Sequence, residues 1–162
     1  MGIGGSGMSS IAKYLKQKGY HVEGYDQRIS YITNILENDG VRTYQNYEDF
    51  IYEKDVLYII SSAVNLNNTF LKNFKKNKNV ISRPNFFREL SCEKDIIGIT
   101  GTHGKTSTTA LVSHIFQFNN KNVSFIYGGV SSFGYLGGHC GEDNLPPVSY
   151  THLRAHETHD DR

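Results

Sequence analysis

The sequence predicts an α/β protein in which short parallel strands alternate with helices that cover the faces of the sheets. Short apolar runs such as 22–25 alternate with amphipathic segments such as 8–18 as far as residue 93, a pattern typical of parallel sheets with crossover helices. A second alternation begins at residue 96, where an apolar run, a glycine-containing turn and a helical pattern follow one another. We therefore predict a Rossmann-like domain over residues 1–93 and the start of a second α/β unit over residues 94–145.

Composition and charge exclude several classes of function. The 162 residues carry 17 basic and 16 acidic side chains, so no basic surface for a nucleic acid is indicated. The longest apolar run, around 56–60, is far too short to cross a bilayer, and no signal peptide leads the chain. Cys92 and Cys140 have neither metal-ligand spacing nor a disulfide-rich context, which favours free thiols in a reducing compartment. We expect a cytoplasmic protein with no nucleic-acid or membrane partner; the oligomeric state is not indicated.

The chain opens with a glycine-rich loop, Gly2-Ile3-Gly4-Gly5-Ser6-Gly7, which satisfies G-x-G-x-x-G and leads into the predicted helix over 8–18. Because almost nothing precedes this loop, its first strand is either a stub or begins outside the chain. The strand over 22–25 ends at Asp26, about 20 residues after the loop, as in dinucleotide-binding folds. Asp26 either accepts hydrogen bonds from a nucleotide's ribose or uracil, or serves as a helix cap or turn residue.

The rest of the first domain continues the alternation. Strands are predicted over 41–44, 55–61 and 80–82, and helices around 32–36, 68–77 and 85–90. Ser61-Ser62-Ala63 closes one strand; hydroxyl groups at a carboxyl strand edge suit a phosphate or a sugar, and simple turn chemistry explains them as well. Arg83-Pro84 is expected to break the strand over 80–82.

The second unit is organised around residues 96–116, which predict a strand, a turn over 100–104 and a helix. Glycines in such a turn let successive amides face one anion, the helix start adds about half a positive charge, and Lys105 adds a full one. Thr106 is placed to bring its hydroxyl to a Mg²⁺ ion bridging the phosphates. The stretch misses G-x-x-x-x-G-K-[ST] by one residue, because Ile99 stands six positions before Lys105. The alternative is an ordinary strand-to-helix turn with an incidental lysine.

The end of the chain differs in character. After a strand over 123–127 and a glycine-rich loop to residue 141, the segment from residue 146 onward lacks Ile, Asn, Lys, Phe and Gly and shows no periodic apolar face. His156-Glu157-Thr158-His159 is one residue short of the zinc-protease pattern, so we expect no zinc site. We interpret 146–162 as a non-native, disordered tail.

Two motifs resemble those of one enzyme family. T-G-T-H-G-K-T, which ends at Thr106, is similar to the ATP loop of the Mur ligase family, which builds the peptide stem of bacterial peptidoglycan. His103 occurs in the alanine-adding and murein-peptide branches of that family, whereas ligases that add later residues usually carry Asn. The opening G-I-G-G-S-G-M-S is similar to that of the alanine-adding branch. The resemblance covers residues 1 to about 145, so the second unit is the truncated start of a P-loop ATPase domain that lacks the family's later acidic segment.

The resemblance also implies a reaction and its residues. It implies an ATP-dependent ligase that joins L-alanine to the carboxylate of UDP-N-acetylmuramate through an acyl phosphate in the bacterial cytoplasm, with ATP and Mg²⁺ as cofactors. Lys105 would be the catalytic residue and Thr106 the metal ligand, while the role of His103 stays open. The residues implied to bind ATP are Gly101, Thr102, His103, Gly104, Lys105, Thr106 and Ser107. Those implied to hold the UDP-sugar, in place of NAD, are Gly4, Gly5, Ser6, Gly7, Met8, Asp26, Ser62 and Arg83.

Three alternatives remain at this point. The chain resembles the murein-peptide branch almost as well in its ATP loop. The G-x-G-x-x-G loop by itself would predict an NAD-dependent oxidoreductase, against which the phosphate loop after residue 100 argues. A nucleotide-binding remnant without turnover is the third.

Overall fold

The computed structural model describes residues 1–46, 49, 53, 55–64, 79–93, 95–131, 135–143 and 148–150. The helices are α1 (Ser6–Gln17), α2 (Tyr31–Asn38), α3 (Arg83–Glu93) and α4 (Lys105–Phe118). The strands are β1 (Glu23–Tyr25), β2 (Arg42–Tyr44), β3 (Tyr58–Ile60), β4 (Val80–Ser82), β5 (Ile97–Ile99), β6 (Phe125–Val130), β7 (Leu136–His139) and β8 (Val148–Tyr150). Within these ranges, no helix has the length and apolarity needed to cross a membrane.

Residues 1–3 bridge two separate pairs of parallel strands by backbone hydrogen bonds. β1 pairs with β2, and β3 pairs with β4. On one side the Met1 amino group donates to the Ile59 carbonyl at 2.7 Å, and the Ser61 amide donates to the Met1 carbonyl at 3.1 Å. On the other side the Gly2 amide donates to the Tyr25 carbonyl at 2.7 Å. Residues 1–3, the predicted first-strand stub, therefore lie between the β1–β2 pair and the β3–β4 pair.

The second sheet has the order β5, β8, β6, β7, with β7 antiparallel to β6 and the other pairs parallel. Two expectations about this unit are wrong. The glycine-rich segment after residue 128 is not all loop. Strand β6 extends to Val130, and the second half of the segment forms β7. Residues 148–150 are not irregular, because β8 fills the space between β5 and β6, where its backbone finds partners on both sides. The remainder of the tail, 151–162, lies outside the described residues.

Some predicted boundaries also shift. Strand β3 is confined to Tyr58–Ile60, and the preceding Val56 and Leu57 are exposed. Helix α3 begins at Arg83, because a proline at the second helical position costs no hydrogen bond in the first turn, where amides have no helical partner. The helix predicted over 68–77 lies outside the described residues.

The hydrophobic core crosses the predicted domain boundary at residue 93. Ile126 of β6 packs with Met8, Ile11 and Tyr14 of α1 and with Phe86 of α3. The fold is the predicted mixed α/β architecture with parallel strands, and helix α1 packs the first unit against the four-stranded sheet of the second.

Candidate functional site

Asp26 holds the first glycine loop in place. One of its carboxylate oxygens, Oδ2, accepts a hydrogen bond from the Gly4 amide at 2.8 Å, and the other, Oδ1, accepts one from the Arg28 amide at 3.1 Å. A Cβ atom at position 4 would lie 2.9 Å from Asp26 Oδ2, so a side chain there would displace the carboxylate that holds the loop. Of the two interpretations of Asp26, the geometry therefore supports the turn residue that shapes the loop.

The start of helix α1 offers backbone amides to a ligand. Gly5 precedes the helix in extended conformation, and no side chain caps the helix. Gly5 and Ser6 are exposed, whereas Gly7 is buried. Met8 is only 5% exposed and its side chain packs in the core. The Met8 amide also donates to the Gly5 carbonyl at 3.0 Å, so neither its side chain nor its amide is available to a ligand.

The other residues predicted for this site lie at the same edge of the sheet. The turn after β3 packs against the loop, since a Cβ atom at Gly2 would lie 3.1 Å from the Cβ of Ser61. Ser62 is exposed in that turn, and half-buried Arg83 follows β4, the strand paired with β3. Ser61 shapes the turn by accepting the Ala63 amide at 3.3 Å; the sequence analysis singled out its neighbour Ser62 for the ligand.

The second glycine loop leads into helix α4 with two glycines in backbone conformations that disfavour other residues. Gly101 has a φ of 148° and Gly104, which precedes the helix, has a φ of 75° in the left-handed region. No side chain caps α4, so its first amides are available to an anion. Lys105 Nζ donates to the carbonyl of Gly101 and, at 3.0 Å, to that of Thr102. Without a ligand, the ammonium group is thus folded back onto its own loop.

Thr106 lies between the loop and strand β6. Its Cγ2 atom is 3.3 Å from the position that a Cβ would take at Gly129, while His103 and Ser107 are exposed. No group of three or more His, Cys, Asp or Glu side chains that could hold a metal is found in the described part of the chain. For Mg²⁺, an ion that keeps several waters, the Thr106 hydroxyl is the protein ligand that this loop offers.

The structure thus assembles two groups of predicted residues. The first surrounds the start of α1, and the second surrounds the start of α4. Both helices contact β6, so one strand lies against both.

Comparison with known proteins gives a consistent result. The family model for the catalytic domain of the Mur ligase family matches residues 1–95. A UDP-N-acetylmuramate–L-alanine ligase from Christiangramia forsetii is 34% identical over 143 residues, which cover 81% of this chain and 31% of that protein. The solved structure of the UDP-N-acetylmuramate–alanine ligase from Thermotoga maritima has a TM-score of 0.78 and 30% identity, covering 92% of this chain and 35% of that one.

A more distant structure shares the fold. The UDP-N-acetylmuramate:L-alanyl-γ-D-glutamyl-meso-diaminopimelate ligase from Neisseria meningitides has a TM-score of 0.75 at 22% identity and covers 92% of this chain. The chain spans about a third of the length of the curated relatives that it matches.

Proposed function

The chain belongs to the Mur ligase family, and from this premise we propose that it carries the UDP-sugar loop and the ATP loop of a ligase that joins L-alanine to UDP-N-acetylmuramate. The support for this choice of substrates comes from the alanine ligases among its relatives and from the two glycine loops. ATP and UDP-sugars are cytoplasmic metabolites, and we place the reaction in the bacterial cytoplasm.

The observation that carries the proposal is the geometry at the start of α4. Gly104, in the left-handed region, turns the chain so that uncapped helix amides follow directly after it. The Lys105 ammonium group lies against this loop, where it donates hydrogen bonds to the carbonyls of Gly101 and Thr102. When a polyphosphate binds, we expect the ammonium group to leave these carbonyls for phosphate oxygens, which are stronger, charged acceptors. The loop then presents amides, a helix dipole and a full charge to one anion.

The first loop is assigned to the UDP-sugar because the relatives are ligases named for UDP-N-acetylmuramate. In enzymes that bind NAD, the acidic residue after the second strand accepts hydrogen bonds from the ribose. Here both oxygens of the Asp26 carboxylate accept backbone amides. Its geometry therefore favours a loop-shaping role, which does not by itself distinguish a UDP-sugar from NAD. The Gly5 amide already donates to the Gly2 carbonyl at 3.1 Å, so the amide of exposed Ser6, at the uncapped start of α1, is the group we assign to the sugar nucleotide's phosphates.

The proposed reaction is phosphoryl transfer followed by amide formation. The carboxylate of the UDP-sugar takes the γ-phosphoryl group of ATP, ADP leaves, and the amine of L-alanine then displaces phosphate. Such transfers depend mostly on alignment and on stabilisation of charge. Lys105 and the amides after Gly104 would bind and orient the phosphates. A Mg²⁺ ion held by Thr106 would neutralise part of their charge.

Binding to this chain tests the assignment of both loops. We would measure the dissociation constants of UDP-N-acetylmuramate, NAD and Mg-ATP by isothermal titration calorimetry. Lys105→Ala should weaken Mg-ATP binding about 10- to 100-fold, since hydrogen bonds to charged groups contribute about 1.5–3 kcal/mol. Lys121→Ala, which removes an exposed lysine beyond the far end of α4, is the matched control and should leave it unchanged. Binding of NAD without affinity for the UDP-sugar would overturn the proposal.

The metal assignment has its own test. Thr106→Val keeps the shape of the side chain and removes the hydroxyl. It should weaken ATP binding in the presence of Mg²⁺ and leave metal-free ATP binding, measured with a chelator, close to that of the wild type. An equal loss under both conditions would exclude Thr106 as the metal ligand.

A further inference from the structure

Helix α1 is packed unusually closely against the β6–β7 hairpin. A Cβ atom at Gly138 of β7 would lie 1.9 Å from the Ser10 carbonyl oxygen, so only glycine permits this approach. Ser9 and Ser10 are fully buried in α1. At the other end of the helix, the Gln17 side chain accepts the Cys140 amide at 2.8 Å. The helix that begins at the first loop is therefore held against the second unit along its length.

The Ser10 hydroxyl connects the two units by hydrogen bonding. Its Oγ atom lies 2.7 Å from the Tyr127 carbonyl oxygen in β6 and 2.9 Å from the Ser6 carbonyl oxygen in α1. One hydroxyl proton is shared between these two acceptors. Ser6 is itself one of the residues assigned to the UDP-sugar loop, so Ser10 ties that loop directly to β6.

The same strand reaches the ATP loop two residues later. Gly129 of β6 approaches Thr106 closely enough that a Cβ would lie 3.3 Å from its Cγ2 atom. Ser6, Ser10, Tyr127, Gly129 and Thr106 thus form a continuous series of contacts and short covalent steps between the starts of α1 and α4.

We propose that Ser10 is a positioning residue that couples the two ligand loops, so that binding of the UDP-sugar at the first loop strengthens binding of Mg-ATP at the second. This inference rests on the proposed function. The physical basis is that a ligand at the start of α1 restrains the helix, and the Ser10 bond passes that restraint to residues 127–129 of β6. The entropy cost of ordering β6 against Thr106 has then been met before the nucleotide binds. Mg-ATP therefore binds more tightly when the UDP-sugar is present, which is positive coupling.

Calorimetry on this chain measures the coupling directly. The dissociation constant of Mg-ATP is determined alone and with saturating UDP-N-acetylmuramate, and the ratio is the coupling factor. We expect a factor of about 5 or more in the wild type, the lower part of the usual range for coupled sites. In Ser10→Ala the factor should fall to near 1, while each ligand alone binds within about twofold of its wild-type affinity, since neither loses a direct contact.

Ser9→Ala is a closely matched control. Ser9 is equally buried in the same helix and its hydroxyl donates to the same Ser6 carbonyl, at 3.0 Å. Within the described part of the chain, the Ser9 hydroxyl makes no hydrogen bond to β6. This variant should retain the wild-type coupling factor. Loss of coupling in both variants, or in neither, would overturn the role assigned to Ser10.

A second measurement needs no variant. The measurement is amide hydrogen exchange of the wild-type chain. Binding of the UDP-sugar alone should slow exchange at residues 128–130 and at the start of α4, which are far along the chain from the first loop. Absence of protection there would overturn the inference even if Ser10→Ala failed to fold. If the UDP-sugar does not bind, the proposed function fails; if both ligands bind independently, only the coupling fails.

Discussion

Gly138→Ala should separate helix α1 from the β6–β7 hairpin. The added Cβ would lie 1.9 Å from the Ser10 carbonyl oxygen and 2.8 Å from its carbonyl carbon. Both are backbone atoms of a helix, so they cannot turn aside as a flexible side chain would. Ordinary contact begins at 3.4 Å, and α1 must therefore retreat by about 1.5 Å because close-packed interiors hold no spare space.

The cost has two parts. Overpacking of this kind costs about 1–3 kcal/mol. The retreat also stretches the bond from Ser10 to Tyr127, and leaving buried polar groups unsatisfied costs about 1–3 kcal/mol more. Together we expect a loss of about 4 kcal/mol, which corresponds to a fall in melting temperature of about 8–16 °C for a chain of this size.

Gly98→Ala is the matched control. Gly98 also lies in a strand, β5, but nothing stands within 4 Å of its Cβ position. Alanine is favoured over glycine in a strand by about 0.5–1 kcal/mol, so this variant should match or slightly exceed the wild type. Melting would be followed by circular dichroism and checked by urea unfolding. If Gly138→Ala and Gly98→Ala both have the melting temperature and urea midpoint of the wild type, α1 does not pack against β7 and the proposed coupling loses its basis.

Three further predictions concern the loops and the first strand. Asp26→Ala should cost about 1–3 kcal/mol of unfolding free energy, because the Gly4 and Arg28 amides lose their acceptor; Asp26→Asn should cost less, and urea unfolding compares the two. Gly104→Ala should weaken Mg-ATP binding and cost about 1 kcal/mol of stability in the left-handed region, and Gly104→Asn should cost less, since Asn tolerates that region better; calorimetry and thermal melting measure the two effects. Burial lowers the pKa of the Met1 amino group from 8.0 to about 6, so between these values the unfolded chain holds a proton that the folded chain lacks. The free energy of unfolding should therefore be highest above pH 8 and fall by about 2–3 kcal/mol as the pH drops through 6. Urea titrations at several pH values measure this dependence. A chain extended at its amino end, in which this amine becomes an amide, should lose most of it.

The two loops and their helices were predictable because their signals are local. The glycines before α1 and α4 and the 3.6-residue apolar period of α1 lie within a few positions of one another, and local patterns of this kind indicate a strand-turn-helix without knowledge of the remainder of the chain. The Rossmann-like fold class was predicted in the same way, and the family from the resemblance of the two loop motifs; both are confirmed.

The second half of the β6–β7 hairpin was missed for the opposite reason. Gly137 and Gly138 were interpreted as loop residues, since glycine usually marks a turn. Their role depends on distant neighbours: a Cβ at Gly137 would lie 2.3 Å from the Tyr127 carbonyl oxygen, and one at Gly138 would strike Ser10. Glycine there permits close approach, which no local pattern reveals.

Residues 148–150 show the same limit. The segment has no apolar periodicity, and it forms a strand because the edges of β5 and β6 face each other across a space of one strand. Its backbone is paired on both sides, which stabilises an extended chain whatever its local preference.

The sequence by itself determined the two glycine-rich turns, the helices that they begin and the lysine that follows the second turn, because each rests on residues close together in the chain. Only the tertiary structure decided that Asp26 shapes its own loop, that Met8 is turned into the core, and that Ser10 reaches a carbonyl 117 positions away. These outcomes depend on which backbone atoms the packing brings within hydrogen-bond distance, and that distance is set by the whole fold.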